Sequence, residues 1–190
     1  MQAARGTPLT GPAAAGQPDE APDEPGAGQP RRRVGILLAV AIGVLVLDIV
    51  TKIVVVATLS GRPPIRLLGG FLKLTLDRNP GAAFSFATGM TVIFTLIAIT
   101  VIIVILRSSR RIRSVAWAIT LGLLLGGASG NLVDRIFRSP GIFRGWVVDW
   151  IQVPHWPVFN LADSAIVCGG ILAVLLSARG IRLDGQREGR

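Results

Sequence analysis

Four stretches of this chain, at about 34–59, 82 or 91 to 106, 115–133 and 159–178, stay apolar long enough to span a bilayer. Crossing the hydrocarbon takes about 20 helical residues at about 1.5 Å of rise each. A span at that depth must satisfy its own backbone polar groups, which favours helices. Only 16% of the 190 residues are charged, 51% are hydrophobic and the mean hydropathy is +0.59. A soluble domain carries about 25% charge. The expected fold is therefore an all-α membrane protein, with the surplus length of the first span taken up by tilt.

The arginines orient the spans. Arg31, Arg32 and Arg33 precede the first, Arg107, Arg110, Arg111 and Arg113 crowd the short link between the second and third, and Arg179, Arg182, Arg187 and Arg190 follow the fourth. All three clusters fall on one side of a four-span chain, and the positive-inside rule makes that side, with both termini, cytoplasmic. The outer loops, about 60–81 and 134–158, spread their basic residues over longer stretches. The net charge of +9 and sequence pI near 11.6 are thus explained by topology and contact with lipid head groups. The arginines follow no single helical face and are not interleaved with aromatics, which argues against nucleic-acid binding. Cys168 is the single cysteine, so an internal disulfide and a Cys-rich metal site are excluded.

Residues 1–33 precede the membrane domain of 34–178, and 179–190 form a cytoplasmic C-terminal tail. The N-terminal segment is rich in Ala, Gly, Pro and Gln, shows no periodicity and is expected to be disordered. It is not a signal peptide, because its basic residues come late and the apolar run behind them is too long. In the first outer loop, Leu72, Leu74 and Leu76 alternate with polar neighbours, the period of a strand. Asn79-Pro80-Gly81 closes that strand with turn residues. A small sheet on the outer membrane surface follows, with strand edges that could hold an extended peptide.

Ionisable groups inside a membrane need a reason. Asp48 and Lys52 lie four apart in the first span and suit an ion pair that pins this helix to its neighbours. The third span ends in Gly126-Gly127-Ala128-Ser129-Gly130, small residues that let helices approach. Asn131, Asp134 and Arg135 follow at spacings that allow one shared face. Asp149 stands late in the second outer loop and Asp163 opens the fourth span. Topology puts both at the outer interface, with Trp146, Trp150 and Trp156 as anchors. Taken alone, Asp163 equally fits a charge favoured by a helix N-terminus.

Two carboxyls meeting in a low-dielectric pocket cannot easily both ionise, so one keeps a proton near neutral pH. Amide hydrolysis needs that state. One carboxylate takes a proton from water, while the other carboxyl hydrogen-bonds the carbonyl and then protonates the leaving amine. The reaction requires no metal or other cofactor, and His155 and Cys168 have no companions with which to bind one.

The chain resembles lipoprotein signal peptidase, the type II signal peptidase of bacteria. Five segments carry the resemblance in the family's order over about residues 35–178: Asp48-Ile49-Val50-Thr51-Lys52, Arg78-Asn79-Pro80-Gly81-Ala82-Ala83-Phe84-Ser85, Gly130-Asn131-Leu132-Val133-Asp134-Arg135, Val147-Val148-Asp149 and Phe159-Asn160-Leu161-Ala162-Asp163-Ser164. The resemblance implies four transmembrane helices with a small periplasmic β-sheet. It also implies cleavage of a signal peptide just before a cysteine that already bears a diacylglyceryl group. By motif position Asp149 and Asp163 match the catalytic aspartates. Asn79, Gly81, Asn131, Asp134, Arg135 and Asn160 match positions that hold the substrate or shape the pocket, and Asp48 and Lys52 match supporting polar positions. Globomycin-type inhibitors are expected ligands, and nothing in the spans demands an oligomer, so a monomer is expected. The loop 136–146 is longer than in compact members, and Trp150 stands where the family usually has Phe.

Two other chemistries fit parts of the chain. Gly127-Ala128-Ser129-Gly130 has the pattern of an intramembrane serine protease, with His155 as the available base. Asp48, Lys52 and Asp163 could instead line a proton-transport path.

Overall fold

The computed structural model describes residues 32–81 and 89–187. The expected N-terminal tail lies outside the described residues except for Arg32 and Arg33, as does the alternative start of the second span at 82. The helices are α1 (Val34–Leu59), α2 (Gly89–Ser108), α3 (Val115–Phe137) and α4 (Leu161–Ala178), and the strands are β1 (Ile65–Leu67), β2 (Leu72–Asn79) and β3 (Val147–Gln152). Among the described residues four helical segments are long and apolar enough to cross a membrane, and the chain is a multi-pass membrane protein. Leu38, Ile42, Leu47, Ile53 and Val54 of α1 are exposed, as a lipid-facing surface requires.

Helix α3 is central and contacts α1, α2 and α4. Glycine makes these approaches possible. A Cβ on Gly122 or Gly126 would come within 2.8 or 2.7 Å of the α1 carbonyls of Leu37 and Ala41, and one on Gly127 within 2.5 Å of Ala162 O in α4. The helix runs one turn beyond the expected end at 133, to Phe137. Asp134 and Arg135 therefore belong to its last turn and not to a loop.

The described arginines of the three clusters gather at one end of the bundle. Arg33 N donates to Ile112 O at 3.0 Å, and Arg113 N to Leu183 O at 2.9 Å. The segment after α4 is accordingly docked: Ile181 and Arg187 form an antiparallel bridge, and Trp117 Nε1 donates to Ile181 O at 2.7 Å.

The sheet occupies the other end, in the order β1-β2-β3, all antiparallel. The period-two leucines explain its seat. Leu74 and Leu76 pack with Val148 and Trp150 against Val55 and Leu59 of α1, so Trp150 is a packed side chain beneath the sheet and not an exposed anchor. Trp146 and Trp156 are 41% and 64% exposed. Alternation then sends Asp149 to the opposite face from Val148 and Trp150. The edge of β3 is already occupied: Val148 N donates to Asp134 Oδ2, and Ile151 pairs with Phe159. Among the described strands this leaves β1 as the exposed edge for any peptide strand.

Candidate active site

Asn160 organises the site. It is the N-cap of α4, where its Oδ1 accepts Asp163 N at 2.9 Å while Asp163 Oδ2 accepts Asn160 N at 3.1 Å, a reciprocal capping box. With its oxygen engaged, the amide nitrogen of Asn160 turns away from the helix. It donates to Asp149 Oδ1 at 2.6 Å and to Asn131 Oδ1 at 3.1 Å. The helix cap thereby ties Asp163 to Asp149.

Two further amides complete the arrangement. Asn79, at the end of β2, accepts Gly81 N on Oδ1 at 2.8 Å, a side-chain turn of the kind Asn favours. Its Nδ2 consequently faces β3 and donates to Asp149 Oδ2 at 2.9 Å. Gly81 has φ 110°, and a Cβ there would meet the Phe94 ring at 3.3 Å, so the turn requires glycine. Asn131 of α3 accepts from Lys52 Nζ and Asn160 Nδ2, both at 3.1 Å, and donates from Nδ2 to Asp163 Oδ1 at 2.8 Å.

Asp149 is 1% exposed, and burial above all, with the neighbouring Asp163 charge adding to it, pushes its carboxyl up to about 7. The hydrogen bonds from Asn79 and Asn160 and the Lys52 charge oppose that rise. Asp163 is half-buried, stands at the N-terminal end of α4, and accepts a hydrogen bond on each oxygen.

One layer back lies a row of alternating charges. Lys52 Nζ is 2.7 Å from Asp48 Oδ2 and 2.8 Å from Asp134 Oδ2, and Arg138 Nε pairs with the other oxygen of Asp134. Asp48 Oδ1 accepts Ala162 N at 3.0 Å, next to Asp163, and Asp134 Oδ2 accepts Val148 N at 3.1 Å, next to Asp149. The pair in α1 thus reaches α3, α4 and the sheet. Asp134, expected to share a face with Asn131 and Arg135, is turned toward α1 and β3 and braces the strand that carries Asp149. Asp134 and Arg135 are adjacent, so about 100° of helical rotation separates them, and the trio divides.

Asn131 and Arg135 instead line a cavity of about 470 Å3 between α2, α3 and α4, with Asn79, Gly81 and Asp163 also in its wall. The remaining lining is apolar, including Phe94 and Val101 of α2, Leu124 of α3 and Ile166 of α4. Arg135 is buried with its guanidinium 5.8 Å from the Phe94 ring centre, and its Nη1 has no hydrogen-bond partner among the described residues. That donor is available to a peptide carbonyl. Among the described residues, no group of His, Cys, Asp and Glu is placed to hold a metal ion. Ser129 lies on α3, whereas His155 lies in the loop after β3 beside Phe71 and Lys73. The two therefore do not form a nucleophile–base pair.

Thr91, Thr95 and Phe94 also shape the site, and nothing in the motifs singles them out. Thr91 Oγ1 donates to Pro80 O, and Thr95 Oγ1 is shared between Thr91 O at 2.8 Å and Phe143 O at 3.2 Å, fastening α2 to both loops. Two threonines four apart near the start of a largely apolar helix, which also carries Thr100, are the available signal.

The profile of the signal peptidase (SPase) II family matches residues 40–179. A lipoprotein signal peptidase of Streptomyces coelicolor is 57% identical over 155 residues, covering 82% of this chain and 76% of that one. The Rhodococcus jostii protein of the same name is 53% identical over 154 residues, 81% of this chain and 78% of its own. That of Mycobacterium tuberculosis is 52% identical over 167 residues, with 87% and 83% covered. A solved structure described as a bacterial membrane enzyme superposes with a TM-score of 0.69 at 28% identity, covering 78% of this chain and 96% of that one.

Proposed function

The chain belongs to the signal peptidase II family, and from that premise we propose that Asp149 and Asp163 are the carboxyl pair that performs its hydrolysis. The enzyme removes signal peptides from prolipoproteins. The observation that carries the proposal is the single amide of Asn160, which holds both aspartates at the polar mouth of an otherwise apolar cavity.

The surroundings divide the labour. Asp163 is half-buried at the N-terminal end of α4, where the helix dipole favours a negative charge, an environment that suits a carboxylate. It is the base that takes a proton from the attacking water. Asp149 is buried and raised to about 7, so near neutral pH a large share of the molecules carry a proton there and it serves as the acid. It hydrogen-bonds the scissile carbonyl and then protonates the amine that leaves. Asn131 and Asn160 keep the two carboxyls in register, and Asn79, Gly81 and Arg135 offer the groups nearest a bound peptide backbone.

The substrate's cleavage point lies just before a diacylglyceryl-bearing cysteine, whose lipid the apolar cavity wall accommodates. The arginine-rich end of the bundle and both termini face the cytoplasm, and the sheet end lies at the outer surface of the inner membrane. The protein acts as a monomer in lipid and binds globomycin-type peptides in the same cavity. Asp149→Asn and Asp163→Asn are each expected to abolish cleavage of a lipidated prolipoprotein while the purified protein keeps its wild-type unfolding profile in detergent. Cleavage at the wild-type rate by either variant would remove the proposed mechanism.

A further inference from the structure

On the other face of α3 from the dyad cavity, two depressions meet. The first is a groove of about 250 Å3 between α1 and α3, walled by Ile49, Ile53, Val133 and Phe137, with Asp134 and Arg138 also lining it. The second is a cleft of about 470 Å3 at the sheet end, lined by Arg78, Arg138, Ser139, Trp146 and Val148 together with Phe137. Phe137 and Arg138 belong to both, so the two form one continuous surface.

The chemistry changes along that surface. The groove is hydrocarbon on two membrane-spanning helices, whose backbone groups are already paired within the helices and cannot hold a polar ligand. The cleft carries two guanidiniums. Arg138 is 30% exposed and gives its Nε to Asp134, whose charge is also met by Lys52. Arg78 is exposed, and no ion pair engages it among the described residues. The cleft is therefore net positive. Guanidinium groups match phosphate geometry, and they stand beside two exposed aromatics, Phe137 at 78% and Trp146 at 41%, at the end of a membrane helix where aromatics meet head groups.

We propose that this composite cleft binds one phospholipid of the surrounding leaflet, its phosphate between Arg78 and Arg138 and an acyl chain along Ile49, Ile53, Val133 and Phe137. The site is separate from the peptidase cavity and does not depend on the assignment of the dyad. It nevertheless touches the catalytic scaffold, because Arg138 holds Asp134, which in turn holds Val148 N beside Asp149.

The test uses the full chain in detergent micelles, titrated with phosphatidylglycerol carrying brominated acyl chains while tryptophan fluorescence is read. Saturable quenching is expected, and Trp146→Phe should remove its saturable part. Arg78→Gln changes an exposed side chain and should raise the half-saturating lipid concentration about tenfold or more. Arg138→Lys keeps the charge beside Asp134 and should weaken binding less than Arg78→Gln. Brominated diacylglycerol, which lacks the phosphate, should quench without saturating over the same range, and soluble glycerol phosphate should not compete. Unchanged binding by Arg78→Gln, or equal saturation by the phosphate-free lipid, would overturn the proposal, as would full competition by glycerol phosphate.

Discussion

Replacing Lys52 by Met removes the cation that lies 2.7 Å from Asp48 and 2.8 Å from Asp134, in a cluster whose three side chains are 1%, 0% and 3% exposed. Methionine fills a similar volume, so packing is largely kept and the effect is electrostatic. Two carboxylates then face an apolar bundle. Among the described residues, Arg138 remains as counter-ion to Asp134, and Asp48 is left with none. Breaking a buried pair by deleting one partner costs about 3–5 kcal/mol. The double variant Asp48→Asn with Lys52→Met separates charge from packing. The amide introduced at position 48 can still accept Ala162 N through its oxygen, and Asp134 keeps Arg138 and Val148 N. The double variant should therefore be more stable than Lys52→Met alone by about 1 kcal/mol or more, a coupling that only contacting residues show. Unfolding in micelles at fixed detergent, followed by tryptophan fluorescence, measures all four corners of the cycle. A Lys52→Met variant within about 0.5 kcal/mol of wild type, inside the range of neutral surface changes, would refute the charge row as a stabilising element. So would strictly additive losses in the double variant.

Further outcomes follow from the same geometry. Asp149, raised to about 7, loses its proton as pH climbs through that value, so cleavage should fall on the alkaline side. The Asn79 hydrogen bond favours the charged form, so Asn79→Ala should lower the rate yet move the alkaline limb to higher pH; an unmoved limb would mean that Asp149 is not the acid. Gly130→Ala places a Cβ 2.5 Å from Asp48 Oδ2 and 3.3 Å from Ala162 Cβ, and should cost about 1–3 kcal/mol as overpacking. Gly170→Ala, whose Cβ would meet nothing within 4 Å, should stabilise α4 by up to about 1 kcal/mol through helix propensity, and the same unfolding assay compares the two.

The parts legible in the sequence are those with a period or a strong local rule. Apolar runs mark all four spans, with the first bounded at 34–59 as the structure has it. The leucines of 72–76 announce β2, and the four-residue spacing of Asp48 and Lys52 announces their pair. Strand β3 is not legible, because Val147-Val148-Asp149-Trp150 is too short to show alternation and its pairing partner lies some 70 residues earlier in the chain. The division between Arg135 and Asp134 is hidden for a different reason. Spacings of three and four both permit a shared face, and the choice is made by Lys52, a residue on another helix. Asn160-Leu161-Ala162-Asp163 carries a capping signal in plain view, but a local cap does not reveal that its spare amide reaches a second aspartate.

That reach explains why amides, and not cations, touch the pair. Asn79, Asn131 and Asn160 each have the oxygen held by a donor from the scaffold, so each presents N–H to a carboxylate. An amide orients and partly stabilises a carboxylate without supplying a full charge. A lysine in direct contact with both aspartates would favour two anions and leave no acid for the leaving amine. Lys52 stands one side chain further back and acts on Asp163 through Asn131, its charge engaged by Asp48 and Asp134. The buried charges fix where the amides point, and in the proposed mechanism the neutral amides leave Asp149 able to carry the proton that the leaving amine needs.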